Sequence, residues 1–350
     1  MRLPARSHMS SNLRSGGISA FKVISDEMGQ VGKLIESQLA GCPDQPGLRG
    51  LLGYLGNCRG KMIRPGLVLL AGAGCGEITG THILTAAVIE IIHNATLLHD
   101  DVIDEGRKRR GLATVNSLWG NESAVLLGDY LLSRAFRMCA DLEPEVTRVV
   151  AATAGRTCEG ELRQINQREN WGLSESEYID IITEKSAAFF SSCCYLGAVL
   201  AGGSETQARS LADFGLNVGI AFQITDDLLD IIGEESEAGK TLGTDVEKSK
   251  LTLAVIHLLN SAEKTARGAV MDALGARCGA YGAEGKRRYD QRALAELLRS
   301  SGSLAYARGR AEEYVMVAIE AWASLKESAA KDALKETARF VVARAAEGRR

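Results

Sequence analysis

Two short acidic clusters carry most of the chemistry legible in this chain: Asp100-Asp101-Val102-Ile103-Asp104 and Asp226-Asp227-Leu228-Leu229-Asp230. Residues three and four apart are neighbours on a helix, so each cluster gathers its three carboxylates on one patch. Apolar neighbours such as Leu97, Leu98 and Ile103 sharpen the mutual repulsion of such a patch. One acidic cluster on a helix is ordinarily a solvated face. Two with the same internal spacing, each inside an apolar stretch, call for another explanation. A hard divalent cation relieves the repulsion, and Mg²⁺ favours carboxylate together with phosphate oxygen over an all-protein cage. Two such patches facing each other would hold a metal-bound diphosphate.

Other polar residues fall on the same stripes. His93, Leu97, Asp100 and Asp104 stand at i, i+4, i+7 and i+11. Gly219, Gln223, Asp226 or Asp227, and Asp230 repeat the arrangement, with Gly219 allowing a close backbone approach. As core residues His93 and Gln223 would need hydrogen-bond partners in any case. The basic residues supply the complementary charge. Gly60 opens the turn Arg59-Gly60-Lys61-Met62-Ile63-Arg64-Pro65, and Arg107, Lys108, Arg109 and Arg110 follow the first acidic cluster. Cations there also suit a helix C-terminus. Lys185, Lys240 and Lys250 add further ammonium groups. A diphosphate needs such guanidinium and ammonium donors.

The elements that must position these groups are helices. The 350 residues are 45% hydrophobic and 24% charged, with five prolines and 5% aromatics, which favours helix over sheet in an ordinary globular composition. Apolar residues at Ile83, Leu84, Ala87, Val88, Ile91, Ile92 and Ala95 predict a helix from Thr81 to Asp104, and Leu211 to Ile232 reads as a central one. Further helices are predicted over about 18–40, 65–75, 122–140, 144–168, 176–201, 250–275, 288–300, 304–325 and 331–346. No β-hairpin signal stands out. Gly233–Lys250 reads as a mobile lid directly after the second acidic cluster. The fold class is therefore all-α, a buried helical bundle in a single domain over 18–350, with 1–17 a tail. That N-terminus has Arg and Ser but no acid, which fits a tail, a transit peptide or a start at Met9.

Composition also excludes. A net charge of −3 leaves no footprint for nucleic acid. The eight cysteines contain no Cys-x-x-Cys and read as reduced, mostly buried thiols of a cytoplasmic protein, not a zinc site. No uninterrupted apolar run has the ~18 residues of a transmembrane segment.

The segments RGKMIRP, EIIHNATLLHDDVIDEGRKRRG, GNESAVLLGDYLLSRAF, EGELRQI, TEKSAAFF, FQITDDLLDIIG and GKTLGTDVEKSKLTL together resemble the trans-isoprenyl diphosphate synthase family, closest to its long-chain polyprenyl members. The resemblance spans 59 to 253 and continues more weakly through GSLAYA and ARFVVAR. It implies an isoprenoid-synthase-type bundle of antiparallel helices around a deep central cavity, a homodimer, and three Mg²⁺ ions. By it, Asp100, Asp104 and Asp226 would ligate metal, with Asp101, Asp227 and Asp230 as partners or supporting groups. Arg109, Lys185, Gln223 and Lys240 would serve the allylic diphosphate, and Gly60, Lys61, Arg64, His93 and Arg110 isopentenyl diphosphate. Three departures stand out: Arg59 for a glycine, Ser186 for the common Thr, and TLAV for TLPV after Lys250. None removes a catalytic group.

The implied activity is head-to-tail condensation of isopentenyl diphosphate with an allylic prenyl diphosphate, with product release allowing peripheral membrane contact. Ala95 and Thr96, small residues five and four positions before Asp100, imply room for a long chain of C30 or more, of the kind that forms a quinone tail. A bulky residue elsewhere, Phe136 or Tyr130, is the alternative floor of a short-chain farnesyl or geranylgeranyl synthase. A class I terpene cyclase would not need Lys61, Arg64 and His93, and an inactive partner subunit would not keep both acidic motifs whole.

Overall fold

The computed structural model describes residues 18–40, 45–56, 60–233, 242–261, 264–275, 290–322 and 325–344. After a 3₁₀ turn at Ser19–Ile24 come α1 (Ser25–Ala40), α2 (Pro46–Gly56), α3 (Ile63–Cys75) and α4 (Gly80–Ile103). A two-residue ladder, β1 (Lys108–Arg109) against β2 (Leu112–Ala113), leads into α5 (Val115–Trp119), α6 (Asn121–Cys139) and α7 (Pro144–Asn166). α8 (Glu175–Ile182) runs through a π-turn, Thr183–Ala187, into α9 (Ala188–Leu200) and then α10 (Glu205–Ile232). The remaining helices are α11 (Thr244–Glu247), α12 (Leu253–Ser261), α13 (Lys264–Ala273), α14 (Gln291–Ser300), α15 (Ser303–Ala321) and α16 (Ala329–Ala343).

The all-α expectation holds, and the differences are local. α2 has glycines at 47, 50, 53 and 56, each costing about 1 kcal/mol of helix propensity against Ala, which hides it from a propensity reading. The β1–β2 hairpin turns on Arg110 and Gly111, both at positive φ (53° and 77°), the geometry of a two-residue primed turn without the usual Asn-Gly signature. α12 begins at Leu253 rather than at 250.

α10 packs against both α9 and α15, α9 against α3, and α4 against α6, around one continuous buried core that reaches from Ile18 to Val341. α4 is 24 residues long with a mean hydropathy of 1.3 over its most apolar window, enough on composition to cross a membrane. With 67% of that window buried inside the protein, it is the core helix that carries the first acidic cluster. Of the segment read as a lid, 234–241 lies outside the described residues, and the rest is packed. The Asp245 N–H donates to Asp230 Oδ2 (3.2 Å), the Lys250 N–H to the Asp245 carbonyl (2.8 Å) and the Glu169 N–H to the Ser249 carbonyl (3.2 Å).

The π-turn is held by two glycines. A Cβ on Gly160 of α7 would come within 2.3 Å of the Lys185 nitrogen, and one on Gly219 of α10 within 2.6 Å of the Ala187 Cα. Both helices can therefore press on the short stretch that presents Lys185 and Ser186. A π-turn inside a helix is a frequent mark of a functional position.

Candidate active site

A cleft of about 2040 Å³, its open mouth included, runs between α4, α7, the π-turn and α10. Asp100 stands in the last turn of α4, and Asp104 caps its C-terminus with its N–H on the Asp100 carbonyl (2.8 Å). Both line the cleft. Burial pushes the Asp100 carboxyl above the usual range, against the pull of Lys185. Asp101 is turned to the protein: Arg109 donates to its Oδ1 through Nε and Nη2, both at 2.8 Å. Burial still pushes its carboxyl up to about 6.

The second cluster divides in the same way. Asp226 lines the cleft and pairs with Arg344, at the end of α16, at 2.8 Å. Asp227 accepts from the hydroxyl of the buried Tyr178 (2.7 Å) on one oxygen and from Gln223 Nε2 (2.7 Å) on the other. Gln223 Oε1 in turn accepts from Ser186 Oγ (2.5 Å). Asp230 is 1% exposed and accepts the Asp245 N–H. All six aspartates line the cleft; Asp104 and Asp226 pair with Lys250 and Arg344, while Asp101, Asp227 and Asp230 are the more deeply buried and accept from Arg109, from Tyr178 and Gln223, and from the Asp245 N–H.

The cations are arranged in two sets. Lys185 pairs with Glu161 and donates to Gln164 Oε1 (2.8 Å). Burial opposes its charge, but Glu161 and Asp100 outweigh that and hold its pKa above the usual lysine range. Lys250, 3% exposed, donates to Asp104 Oδ1 (2.7 Å). Lys240 lies outside the described residues. In the second set, Arg64 donates from Nη1 to His93 Nε2 (3.1 Å) and lies over the Phe190 ring at 4.8 Å. Burial, followed by the Arg64, Arg110 and Arg109 charges, lowers the His93 pKa well below its usual value, so its ring is neutral and accepts that bond. Arg110 donates to Asn94 Oδ1 (3.2 Å). Gly60 leaves room for it, since a Cβ there would fall 2.4 Å from Arg110 Nη2. Lys61 is exposed and sits over the Phe340 ring of α16 at 4.9 Å, outside the residues that line the cleft.

Several of these groups have no counterpart in the sequence reading: Tyr178, Glu161, Gln164, Asn94 and Arg344. Glu161 and Gln164 sit in the EGELRQI segment, whose polar i, i+3 spacing was available as a signal; Tyr178 and Arg344 gave none. The expected chain-length pair also separates. At about 100° per residue Thr96 lies some 40° round α4 from Asp100 and Ala95 some 140°. Thr96 accordingly lines the cleft, while Ala95 is fully buried and is not among its lining residues. Phe136 is 65% exposed and closes nothing within this chain.

Among the described residues the cleft is lined by eight carboxylates and six cationic side chains. A diphosphate added to that excess of negative charge would be repelled unless cations came with it. No group of three or more described carboxylates, imidazoles or thiols converges closely enough to cage a metal alone. One or two carboxylates completed by phosphate oxygens is how Mg²⁺ is ordinarily held, so the donor set fits that ion.

Residues 45–284 match the family profile described as Polyprenyl synthetase. The octaprenyl diphosphate synthase of Escherichia coli is 34% identical over 292 residues, covering 83% of this chain and 88% of that one. A short chain isoprenyl diphosphate synthase of Methanothermobacter thermautotrophicus is 35% identical over 290 residues, covering 81% and 86%. The crystal structure of a polyprenyl synthase from Caulobacter crescentus, complexed with calcium and isoprenyl diphosphate, superposes with a TM-score of 0.85 at 31% identity over 92% of this chain and 96% of that one.

Proposed function

We propose that this chain, which belongs to the polyprenyl synthetase family of prenyltransferases, condenses isopentenyl diphosphate with an allylic prenyl diphosphate to give an all-trans polyprenyl diphosphate. The observation that carries the reading is the cleft itself. Asp100 and Asp104 line it from the end of one helix and Asp226 from another, together with Lys185, Lys250, Arg64 and Arg110. Asp100, Asp104 and Asp226 would hold Mg²⁺, three ions by family resemblance, on the allylic diphosphate. Bound there, Mg²⁺ would neutralise the diphosphate and make it a better leaving group. Lys185, Lys250 and Arg109 would take the remaining phosphate charge, together with Lys240. Arg64, Arg110, Lys61 and the Gly60 turn would hold isopentenyl diphosphate, with neutral His93 orienting Arg64. The apolar walls, Leu97, Phe189 and Phe222 among them, would keep water from the allylic cation while the isopentenyl double bond attacks it.

We read the product as long, C30 or more, in keeping with a quinone side chain. Thr96, a modest side chain, is one of the α4 residues that line the cleft before the aspartates, with His93, Leu97 and His99. The reading includes a homodimer. Val125, Leu126 (67% exposed) and Phe136 (65% exposed) fall within a ~100° arc of α6, an apolar face of the kind that another copy covers. It also includes residues 18–350 as one catalytic unit, supported by the continuous core, the reducing cytoplasm, supported by the free described cysteines, and peripheral membrane contact for product release.

The test is product chromatography after incubation with isopentenyl diphosphate, Mg²⁺ and allylic primers of increasing length. Wild type should elongate, while excess chelator, Asp100→Ala or Asp226→Ala should reduce turnover by orders of magnitude in a folded protein. Hydrocarbon released from the allylic substrate alone, or full activity in chelator, would overturn the reading.

A further inference from the structure

Glu90 is a carboxylate that the reaction does not use directly. It lies on α4 ten residues before Asp100, about 15 Å along the axis at ~1.5 Å per residue, well away from the metal-facing end. It is 4% exposed. Glutamates are seldom buried without a partner, because an uncompensated charge in the interior is costly. The surroundings of Glu90 are organised around it. Asn94, one turn further on, donates from Nδ2 to the Glu90 main-chain carbonyl (2.8 Å), and Gly60, Glu90, Asn94 and Arg110 line one small cavity. With its amide so fixed, Asn94 turns Oδ1 outward, where it accepts from Arg110 Nη1 (3.2 Å).

Arg110 is a residue that needs such help. It sits at the tip of the β1–β2 hairpin with φ of 53°, a conformation uncommon for a residue with a Cβ. Its guanidinium is confined against Gly60 on one side and meets the Asn94 amide on another. Arg64, the second guanidinium of this set, is tied to His93 of the same helix, one turn from Glu90. Glu90 attracts both cations, and both attract it.

We propose that Glu90 is a positioning residue for the isopentenyl diphosphate site, its buried carboxylate providing the counter-charge that holds Arg110 against Asn94 before the substrate's phosphates arrive. The inference rests on the assignment of Arg110 to isopentenyl diphosphate. It differs from a merely structural buried ion in one respect: a structural Glu90 would govern stability and leave the two substrates' KM values alike, whereas a positioning Glu90 acts on one substrate through one residue.

The experiment compares Glu90→Gln and Asn94→Ala in the wild-type and Arg110→Ala backgrounds, reading the KM for each substrate, kcat and the melting temperature of the full-length enzyme. Loss of the counter-charge, or of the Asn94 bond to Arg110, should raise the isopentenyl KM roughly tenfold in the two single variants, with the allylic KM and kcat within about twofold. In the Arg110→Ala background neither substitution should add to the effect, since the relay then ends on nothing. If Arg110→Ala itself leaves the isopentenyl KM unchanged, the site assignment fails. If Arg110→Ala raises it while Glu90→Gln and Asn94→Ala do not, the assignment stands and the positioning role is wrong. Equal rises for both substrates, full additivity with Arg110→Ala, or loss of the fold in Glu90→Gln would each mark Glu90 as structural and overturn the proposal.

Discussion

Tyr178→Phe removes one hydroxyl from the buried relay that runs from Ser186 through Gln223 to Asp227, and its cost can be worked from the contacts. Tyr178 is 1% exposed and donates to Asp227 Oδ2 at 2.7 Å. Burial, and then the neighbouring Asp227 charge, raises the phenol pKa well above its usual value, so it remains a donor at any working pH. A hydrogen bond to a charged acceptor contributes about 1.5–3 kcal/mol net. Phenylalanine fills the same space, so little cavity term is added, and Asp227 keeps its second donor, Gln223, at 2.7 Å. The loss should therefore be about 2 kcal/mol, a fall in Tm on the order of 4 °C for a chain of this size. Asp227 would also be freer to turn toward the cleft and compete with Asp226, so the allylic KM should rise more than the isopentenyl KM. Calorimetry and initial rates on Tyr178→Phe, Gln223→Leu and the double variant measure both effects. Because the two donors share one carboxylate, their stability losses should be coupled by more than ~0.5 kcal/mol. Unchanged Tm in Tyr178→Phe, or strictly additive losses, would refute the relay.

Other outcomes follow from the same geometry. Burial lifts the Asp101 carboxyl from 3.8 to about 6, so the folded state binds that proton more tightly than the unfolded chain. The resulting penalty is absent below pH ~4, grows as pH rises through the window up to about 6 and is full above it, reaching ~3 kcal/mol. In chelator, urea unfolding should show wild type losing stability relative to Asp101→Asn across that window, and parallel profiles would contradict the assignment. Thr96→Phe should shorten the product by several isoprene units on chromatography, whereas Ala95→Val should shift product length little; the reverse order would put Ala95 rather than Thr96 on the chain path. Leu126→Glu with Phe136→Glu should convert a dimer to a monomer in sedimentation, and an unchanged mass would remove α6 from the interface.

What the sequence discloses about this site follows the reach of helical periodicity. The acidic clusters, His93 and Gln223 are readable because each lies within a few turns of its functional neighbours on one helix, where spacing alone fixes the face. The same rule separates Ala95 from Thr96: the rotation of α4 that leaves Thr96 beside Asp100 carries Ala95 some 140° round the helix. Contacts made across elements leave no such trace. Tyr178 meets Asp227 from another helix, and Arg344 reaches Asp226 from the far end of the chain. Arg110 depends on a hairpin whose Arg-Gly turn lacks the common signature. Lys250 is the sharpest case. Read along the chain, it is one more charge in a Gly-rich stretch suited to a lid. In the fold, the Asp245 carbonyl and the Glu169 N–H pin that stretch as a short helix and turn before α12, and the Lys250 ammonium is buried against Asp104. A buried lysine bound to a carboxylate that faces the cleft is a cation already in place before any diphosphate binds. Bringing it there requires tertiary packing between segments nearly 150 residues apart, which no local pattern encodes.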